Sequence, residues 1–338
     1  MMLFRAANKQ DLQAIHALAK TSGVGMTTFP KDITLLEKRL TQAHHAFNTS
    51  LDTPDDEYYL FVLEDTTTHQ IVGTAAIEAL TGKTTPFYSY RRTACLKTCP
   101  SLHLESTHDY LSLVHDNEGC TEICTLYLNP TYRRDSNGLL LSLARFLFMA
   151  EYPQRFASRV IADMRGVSDE QGNSPFWDAV GYPFFQIPFT QADQLTLSTD
   201  KQFIADLIPR YPIYINLLPL RAQIVLGHPH ASTVPAMNIL FREGFTHNQT
   251  IDIFDAGPTL EVEQCKIRTL ANSQRMTLST TPIQLKQQRV LLASTELHFR
   301  ATLGLASINT ATQTCHVNAE IANLLHLADR DIVRISTL

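Results

Sequence analysis

The hydrophobic pattern is clearest between residues 121 and 149. Residues 121–128 are mainly apolar, β-branched or aromatic, and Asn129 and Pro130 follow them, which predicts a short strand. Beyond a polar turn, apolar side chains recur at the helical period and predict a helix. These side chains are Leu139, Leu140, Leu143, Phe146 and Leu147. A strand, a basic turn and a helix start are typical of an anion site, because the first amides of a helix point into the turn.

The pattern on either side of this stretch predicts an α+β fold. The expected elements are a strand at 2–6, two helices, a hairpin over 57–80, a strand or hairpin over 102–114, a strand at 160–165 and a helix at 174–180. Asn8 or Asp11 is expected to cap the first helix, and Asp32 to cap the second. This order predicts a mixed sheet that splays around the central strand.

The second half of the chain predicts two further units. Helices are expected at 199–209, 219–226 and 234–244, with a strand at 248–254. Beyond Gly257 and Pro258, short apolar runs predict a small β-rich domain. The runs are 289–293, 299–305, 315–321 and 332–335. We therefore expect three units, with boundaries 1–190, 191–258 and 259–338, of which the first two are related halves.

Composition narrows the function classes. The chain has 338 residues, 44% of them hydrophobic and 18% charged, as in ordinary globular proteins. A net charge of -5 argues against broad nucleic-acid binding. No apolar run reaches the length of a membrane span and no signal-peptide pattern opens the chain, so a cytoplasmic protein is expected. The six cysteines lack zinc-site spacing, and no metal is expected.

The basic turn carries the most specific motif. Arg133-x-x-Ser136-x-Gly138 matches the Arg/Gln-x-x-Gly-x-Gly/Ala signature of the GNAT acyltransferases, with Ser136 at the first glycine position. In that family the loop amides hold the pyrophosphate of an acyl-CoA, and the preceding strand pairs with its pantetheine arm. The resemblance assigns a cofactor-binding set: Leu126, Tyr127, Leu128, Arg133, Arg134, Ser136, Asn137 and Gly138. The alternative is an ordinary connection between a strand and a helix.

Three other segments are candidates for chemistry. His228 and His230 flank Pro229 in a loop, and histidine is suited to proton transfer near neutral pH. Surface histidines are the alternative. The Gly- and Thr-rich loop at 21–30 is expected to carry binding residues, unless it only connects two helices. The aromatic and basic cluster at 87–92 either packs on the sheet or recognises a carboxylate.

The chain resembles the arginine N-succinyltransferases over essentially its whole length. The motifs that carry the resemblance are Thr21–Pro30, Tyr88–Arg91, Glu122–Leu126, Asn137-Gly138 with Leu140–Ser142, Met164–Gly166, Ser174–Trp177, Tyr211–Tyr214, Glu243–Phe245, Ile251–Glu261 and His298–Arg300. The chain departs from the family at Ser136, and at Gln191, where arginine is expected.

The resemblance implies a reaction and its residues. Succinyl-CoA would be a co-substrate, no cofactor would be tightly bound, and the α-amino group of L-arginine would attack the thioester. The family's general acid falls on His230, and its succinyl-CoA contact falls on Leu126. The expected partners of the substrate are Glu122 and Glu78 for the guanidinium, and Arg91 and Arg165 for the succinyl carboxylate.

Two alternatives remain open at this point. The chain could be the related subunit that also acts on ornithine, in a hetero-oligomer. It could also be a catalytically silent acyl-CoA-binding sensor. A homo-oligomer acting on small molecules, without nucleic-acid or membrane partners, is the first expectation.

Overall fold

The computed structural model describes residues 1–338 except 24, 27, 199, 282, 284 and 285, and only the backbone at 198. Its strands are β1 Met2–Ala6, β2 Tyr58–Asp65, β3 Gln70–Glu78, β4 Ser89–Cys99, β5 Leu104–Val114, β6 Thr121–Leu128, β7 Arg159–Asp163, β8 Ile213–Tyr214, β9 Thr246–Ile251, β10 Pro258–Glu263, β11 Gln274–Ser279, β12 Gln288–Ala293, β13 Arg300–Asn309, β14 Thr314–His316 and β15 Ile332–Thr337. Its α-helices are α1 Leu12–Thr21, α2 Ile33–Asn48, α3 Asn137–Glu151, α4 Pro175–Val180, α5 Tyr182–Phe185, α6 Phe189–Ser198, α7 Gln202–Leu207, α8 Leu220–Gln223, α9 Val234–Arg242, α10 Arg268–Asn272 and α11 Ala319–Leu325.

The predicted α+β class and the GNAT-like element order are confirmed. The strands of the described chain form one sheet in the order β12-β15-β11-β14-β13-β1-β2-β3-β6-β7-β10-β9-β4-β5-β8. The Asp32 side chain caps α2 by accepting bonds from the amides of Thr34 and Leu35. Asn8 caps a short 3-10 helix that leads into α1, whereas Asp11 makes no side-chain cap bond to α1.

The sheet opens at its centre, between β6 and β7. These two strands are parallel, and their register pairs are confined to Thr121 with Val160 and Glu122 with Ile161. Beyond Glu122 they diverge, while β6 stays paired with β3 on its other side. The gap leaves space between two central strands, which is the splay that the element order predicts.

The aromatic core holds β6 in place from the α3 side. Leu141, Phe146 and Phe148 of α3 are fully buried, and the Phe148 ring lies 5.2 Å from the Phe61 ring in β2. Burial of this apolar face is worth about 2 kcal/mol for each large side chain. Since α3 follows the basic turn directly, its packing fixes the position of that turn.

Two segments differ from the predicted pattern. The apolar run at 315–321 is a strand only as far as His316, because Asn318 caps α11 through a bond from the Ile321 amide. Ile321, Ala322 and Leu325 then bury one helical face. The cluster at 87–92, for which packing on the sheet or recognition of a carboxylate was expected, lies partly in a strand, because β4 begins at Ser89 and pairs along eleven residues with β5.

The unit boundaries 1–190, 191–258 and 259–338 stay a prediction. Residues 191–258 contribute β9, which lies in the common sheet between β10 and β4. β10 begins at Pro258 and pairs with β7 and β9, on the far side of the gap. The remaining strands, β11 to β15, pack with α11 around a separate apolar cluster. None of the described helices combines the length and apolarity that crossing a membrane requires.

One buried carboxylate connects α3 to the C-terminal strands. The side chain of Glu151, at the end of α3, is 2% exposed and forms ion pairs with Arg275 of β11 and Arg334 of β15. The Arg334 Nε lies 2.7 Å from Glu151 Oε2. An ion pair that is buried on one side is costly to break, because the remaining charge is left without a partner in a poorly solvated site.

We expect Glu151→Gln to destabilise the protein by on the order of 3 kcal/mol, because two arginines lose their shared carboxylate. Urea unfolding, followed by tryptophan fluorescence and circular dichroism, measures this change. Lys266→Gln is the control, since Lys266 and Glu263 form an exposed pair and surface pairs contribute little. An unchanged midpoint for Glu151→Gln would show that the network does not join the two parts.

Candidate functional site

A cavity of about 440 Å³ occupies the gap between β6 and β7. Its walls come from β6, from the end of β7, from α2 and α6, and from the segment that precedes α9. Leu126, Tyr127 and Leu128 of β6 line it, as does Arg133 of the basic turn. The cavity therefore collects residues from both sides of the divergence.

A β-bulge in β6 faces this cavity. Register pairs with β3 stop at Cys124 and resume at Tyr127, and Thr125 has φ of 53°, which is strained for a β-branched residue. The Thr125 amide donates to Thr28 Oγ1 at 3.1 Å, and the Thr125 hydroxyl donates to the Thr28 carbonyl at 2.9 Å. These bonds tie Thr28, in the loop at 21–30, to the bulge.

The basic turn adopts the left-handed backbone conformation that favours glycine, although Ser136 stands at the glycine position of the motif. Asp135 and Ser136 both adopt left-handed conformations, with φ of 52° and 67°. Ser136 stands at the N-cap of α3, but its side chain makes no cap bond. Thus serine accepts the conformation that a glycine would adopt without strain. Asn137 is buried and its side-chain amide donates to the Tyr132 carbonyl at 3.0 Å. Of the predicted turn residues only Arg133 lines the cavity; Arg134, Ser136, Asn137 and Gly138 do not.

His230 is not among the residues that line the cavity, but it lies beside the end of β7, next to the lining residues Arg165 and Ser232. Its amide donates to the Arg165 carbonyl at 2.8 Å, and Pro229 forms a bridge with Gly166. The ring Nδ1 accepts from the Ser232 amide at 3.1 Å and lies 2.7 Å from the Ser232 hydroxyl. Partial burial, with a smaller contribution from the Arg165 charge, lowers the pKa of His230. Nε2 therefore carries the proton of the neutral ring.

Six carboxyl groups line the cavity, together with four arginines and two lysines. The carboxyl groups are those of Glu78, Glu122, Asp163, Asp193, Asp252 and Asp255. Burial, together with the charge of Asp252, raises the pKa of Asp163 and that of Asp193 to about 7. Burial also raises the pKa of Glu122 well above its usual range. A site with this many poorly solvated carboxyls favours a cationic ligand, which would stabilise their ionised forms.

Asp255 is held by a close approach of two backbone segments. Its carboxylate accepts bonds from the amides of Gly166 and Gly257, at 2.8 and 2.9 Å. A Cβ at Gly257 would lie 1.9 Å from the Met164 carbonyl oxygen, so no larger residue fits at that position. The segment after β9 is thereby locked against the end of β7, where Arg165 and His230 lie.

The predicted substrate residues separate into two groups. Glu78, Glu122 and Arg165 line the cavity. Arg91 is not among the lining residues, because it lies on β4, where it pairs with Asp116 and its side chain is 49% exposed. Gln191 is exposed on α6. The sequence therefore places three of the four residues at one site.

Sequence reasoning missed several cavity residues. Asp163, Asp193, Asp252 and Asp255 were given no role, and neither was Arg39 of α2. The segment 251–261 was singled out as a motif, so two of these carboxylates lay in a recognised stretch. Among the described residues, no group of three or more His, Cys, Asp or Glu side chains has the arrangement of a metal site.

Comparison with known proteins agrees with this geometry. A family model described as arginine N-succinyltransferase beta subunit matches residues 2–269, and one for the C-terminal domain of that subunit matches residues 274–337. An arginine N-succinyltransferase of Photorhabdus laumondii is 39% identical over 341 residues, which cover 100% of this chain and 98% of the relative. One of Yersinia pestis is 38% identical over 346 residues, with coverages of 100% and 98%.

A solved structure supports the same relationship. Arginine/ornithine succinyltransferase subunit AI from Pseudomonas aeruginosa has a TM-score of 0.90 and 33% identity, and the match covers 100% of this chain and 98% of that one. The two family models together match almost the whole chain, and the curated relatives match it along its full length. The chain belongs to the arginine N-succinyltransferase family.

Proposed function

We propose that the protein transfers the succinyl group of succinyl-CoA to the α-amino group of L-arginine. The observation that carries this proposal is the cavity at the divergence of β6 and β7. It combines a bulged strand, a basic turn at a helix start and a wall of carboxylates. The family assignment and the names of the full-length relatives support the same reaction.

The strand and the turn suit the acyl-CoA. Leu126 follows the bulge residue and has no register partner in β3, so its backbone is the candidate contact for the thioester carbonyl. Arg133 of the turn lines the cavity, and the start of α3 behind it suits a pyrophosphate. Arg133 Nε donates to the Leu128 carbonyl at 3.1 Å, and this bond holds the arginine beside the strand.

The carboxylate wall suits the acceptor. L-Arginine carries a guanidinium and an ammonium group, and each of them favours an ionised carboxylate partner. The Glu122 side chain is 6% exposed and makes no hydrogen bond or ion pair with another described side chain. Burial raises its pKa, and the charges of Lys201 and Arg39 oppose that rise only in part. An unpaired buried carboxyl is costly, and a guanidinium ligand would offset that cost.

His230 suits the last proton transfer. The α-ammonium group first loses a proton; the amine nitrogen then bonds to the acyl carbon and gives up a second proton as the amide forms, while the carbon–sulfur bond breaks and the thiolate takes a proton to give CoA. A lowered pKa makes the imidazolium form of His230 a stronger acid, which favours delivery of that proton. On protonation, Nδ1 can donate to the Ser232 hydroxyl, at the distance of 2.7 Å already present.

The proposed reaction also suggests a location and an oligomeric state for the enzyme. We infer that the enzyme is cytoplasmic and acts as a homo-oligomer on small molecules. Exposed apolar side chains, Leu96, Leu102 and Leu104 on the β4–β5 hairpin and Leu217 near β8, suit a subunit contact. Light scattering should give a mass above the 38.0 kDa of one chain, and a monomer at all concentrations would remove this inference.

Thiol release tests the function directly. The protein is mixed with succinyl-CoA and L-arginine, L-ornithine or no amine, and free CoA is followed with a thiol reagent. Release that requires arginine is expected. Equal release with ornithine would indicate the subunit of broader specificity, whereas binding of succinyl-CoA without release would indicate a sensor.

We expect His230→Ala to reduce kcat by about 10²- to 10⁴-fold with little change in KM, because the leaving thiolate loses its proton donor. His228→Ala is the matched control, since His228 is exposed in the same loop. Both variants should unfold at similar temperatures. Normal turnover by His230→Ala would exclude the proton-donor role.

Arginine binding should strengthen as pH rises through about 7. The raised pKa values of Asp163 and Asp193 mean that both carboxyls are largely neutral at about pH 6 and ionised at about pH 8. Without a ligand, ionisation of these groups lowers stability between about pH 4 and 7, and a bound cation reverses this effect. The shift in Tm caused by arginine should therefore be larger at the higher pH.

Calorimetric titration checks the same linkage, because arginine binding near neutral pH should release protons to the buffer. In Asp163→Asn the pH dependence should flatten. A Tm shift that is the same at both pH values would show that arginine does not bind beside these carboxyls.

A further inference from the structure

Four arginines line the cavity, and three of them are bonded to the protein. Arg133 donates to the Leu128 carbonyl. Arg145 donates to the Ser142 carbonyl at 3.2 Å. Arg165 donates to the Ser168 hydroxyl at 2.9 Å. Across the described parts of the chain, the fourth, Arg39, makes no hydrogen bond or ion pair through its guanidinium.

Arg39 is nevertheless held in position. It lies on α2, whose residues at 35, 38, 39 and 42 face the cavity at helical spacing. Its guanidinium carbon lies 4.4 Å from the centroid of the Tyr58 ring. Stacking of this kind fixes a guanidinium while its N–H groups stay available to a ligand.

The Tyr58 contact connects Arg39 to the bulge in β6. The Tyr58 ring is 2% exposed, and its hydroxyl lies 2.7 Å from Thr125 Oγ1. Thr125 is the bulge residue, and Leu126, the proposed contact of the thioester carbonyl, follows it. The free guanidinium is thus tied to the part of the cavity where the acyl group would lie.

Resting on the function proposed above, we infer that Arg39 binds the terminal carboxylate of the acyl group and makes the site specific for CoA thioesters of dicarboxylic acids. A guanidinium fork matches a carboxylate with two parallel hydrogen bonds. Asp163 and Asp252, near the ends of β7 and β9, line the same cavity and suit a cationic acceptor. Arg39 therefore takes the role that sequence reasoning assigned to Arg91.

Two thioesters that differ only at the end of the acyl chain test the contact between Arg39 and the terminal carboxylate. Succinyl-CoA and butyryl-CoA have the same four-carbon acyl chain, and only the first carries a terminal carboxylate. In Arg39→Gln, the Kd of succinyl-CoA should rise about 10- to 100-fold, the range expected for a charged hydrogen-bonded pair. The Kd of butyryl-CoA should stay within about twofold, because it makes no such pair. Calorimetry measures both constants, and Arg39→Lys should recover part of the preference.

Arg242→Gln is the matched control, since Arg242 is exposed on α9 and lies outside the cavity lining. All variants should show a Tm close to that of the native protein. Equal weakening of both thioesters by Arg39→Gln would overturn the inference, and so would a rise confined to the KM of arginine. A native protein that binds succinyl-CoA over butyryl-CoA but transfers nothing would reject the proposed function alone.

Discussion

The site depends on the divergence of two parallel strands. β6 and β7 pair only at their first residues and then separate, although both remain central in the sheet. Separated strands expose backbone polar groups that a continuous sheet would satisfy, and such groups are costly to bury without partners. The bulge at Thr125 and the bonds from Thr28 satisfy part of this demand, and the remaining backbone faces the cavity.

The charged side chains of the poorly solvated cavity determine which ligands it favours. Six carboxyls, four arginines and two lysines line the cavity, yet neither Glu122 nor Arg39 forms an ion pair with another described residue. Burial raises the pKa values of Glu122 and Asp163 because their ionised forms lose solvation. Such groups interact strongly with charged ligands, since the same low dielectric strengthens each new pair. The cationic groups of the acceptor would match the carboxylates of the cavity, and the anionic end of the acyl group would match Arg39.

The surrounding structure holds these groups still. Asp255 accepts amide bonds from both sides of the Gly166–Gly257 contact, and His230 is attached to the Arg165 carbonyl. On the other side, Tyr58 positions Arg39 against β6. The C-terminal strands support this arrangement indirectly. β13 pairs with β1, and Arg275 and Arg334 form ion pairs with Glu151 at the end of α3.

The sequence by itself determined the local elements and the family. Hydrophobic periodicity predicted α3, the Asp32 cap predicted the start of α2, and the basic turn predicted an anion site, because each of these signals is contained within a few neighbouring residues. It did not distinguish the strand β4 from a loop or find the helix α11 within an apolar run, since short apolar segments suit several structures. Only the tertiary structure showed that Arg91 lies on an exposed hairpin while Arg39 faces the cavity, and that Asp163, Asp193 and Asp252 meet there. These residues are far apart in the chain, and the packing of the sheet, rather than any local pattern, brings their charges together.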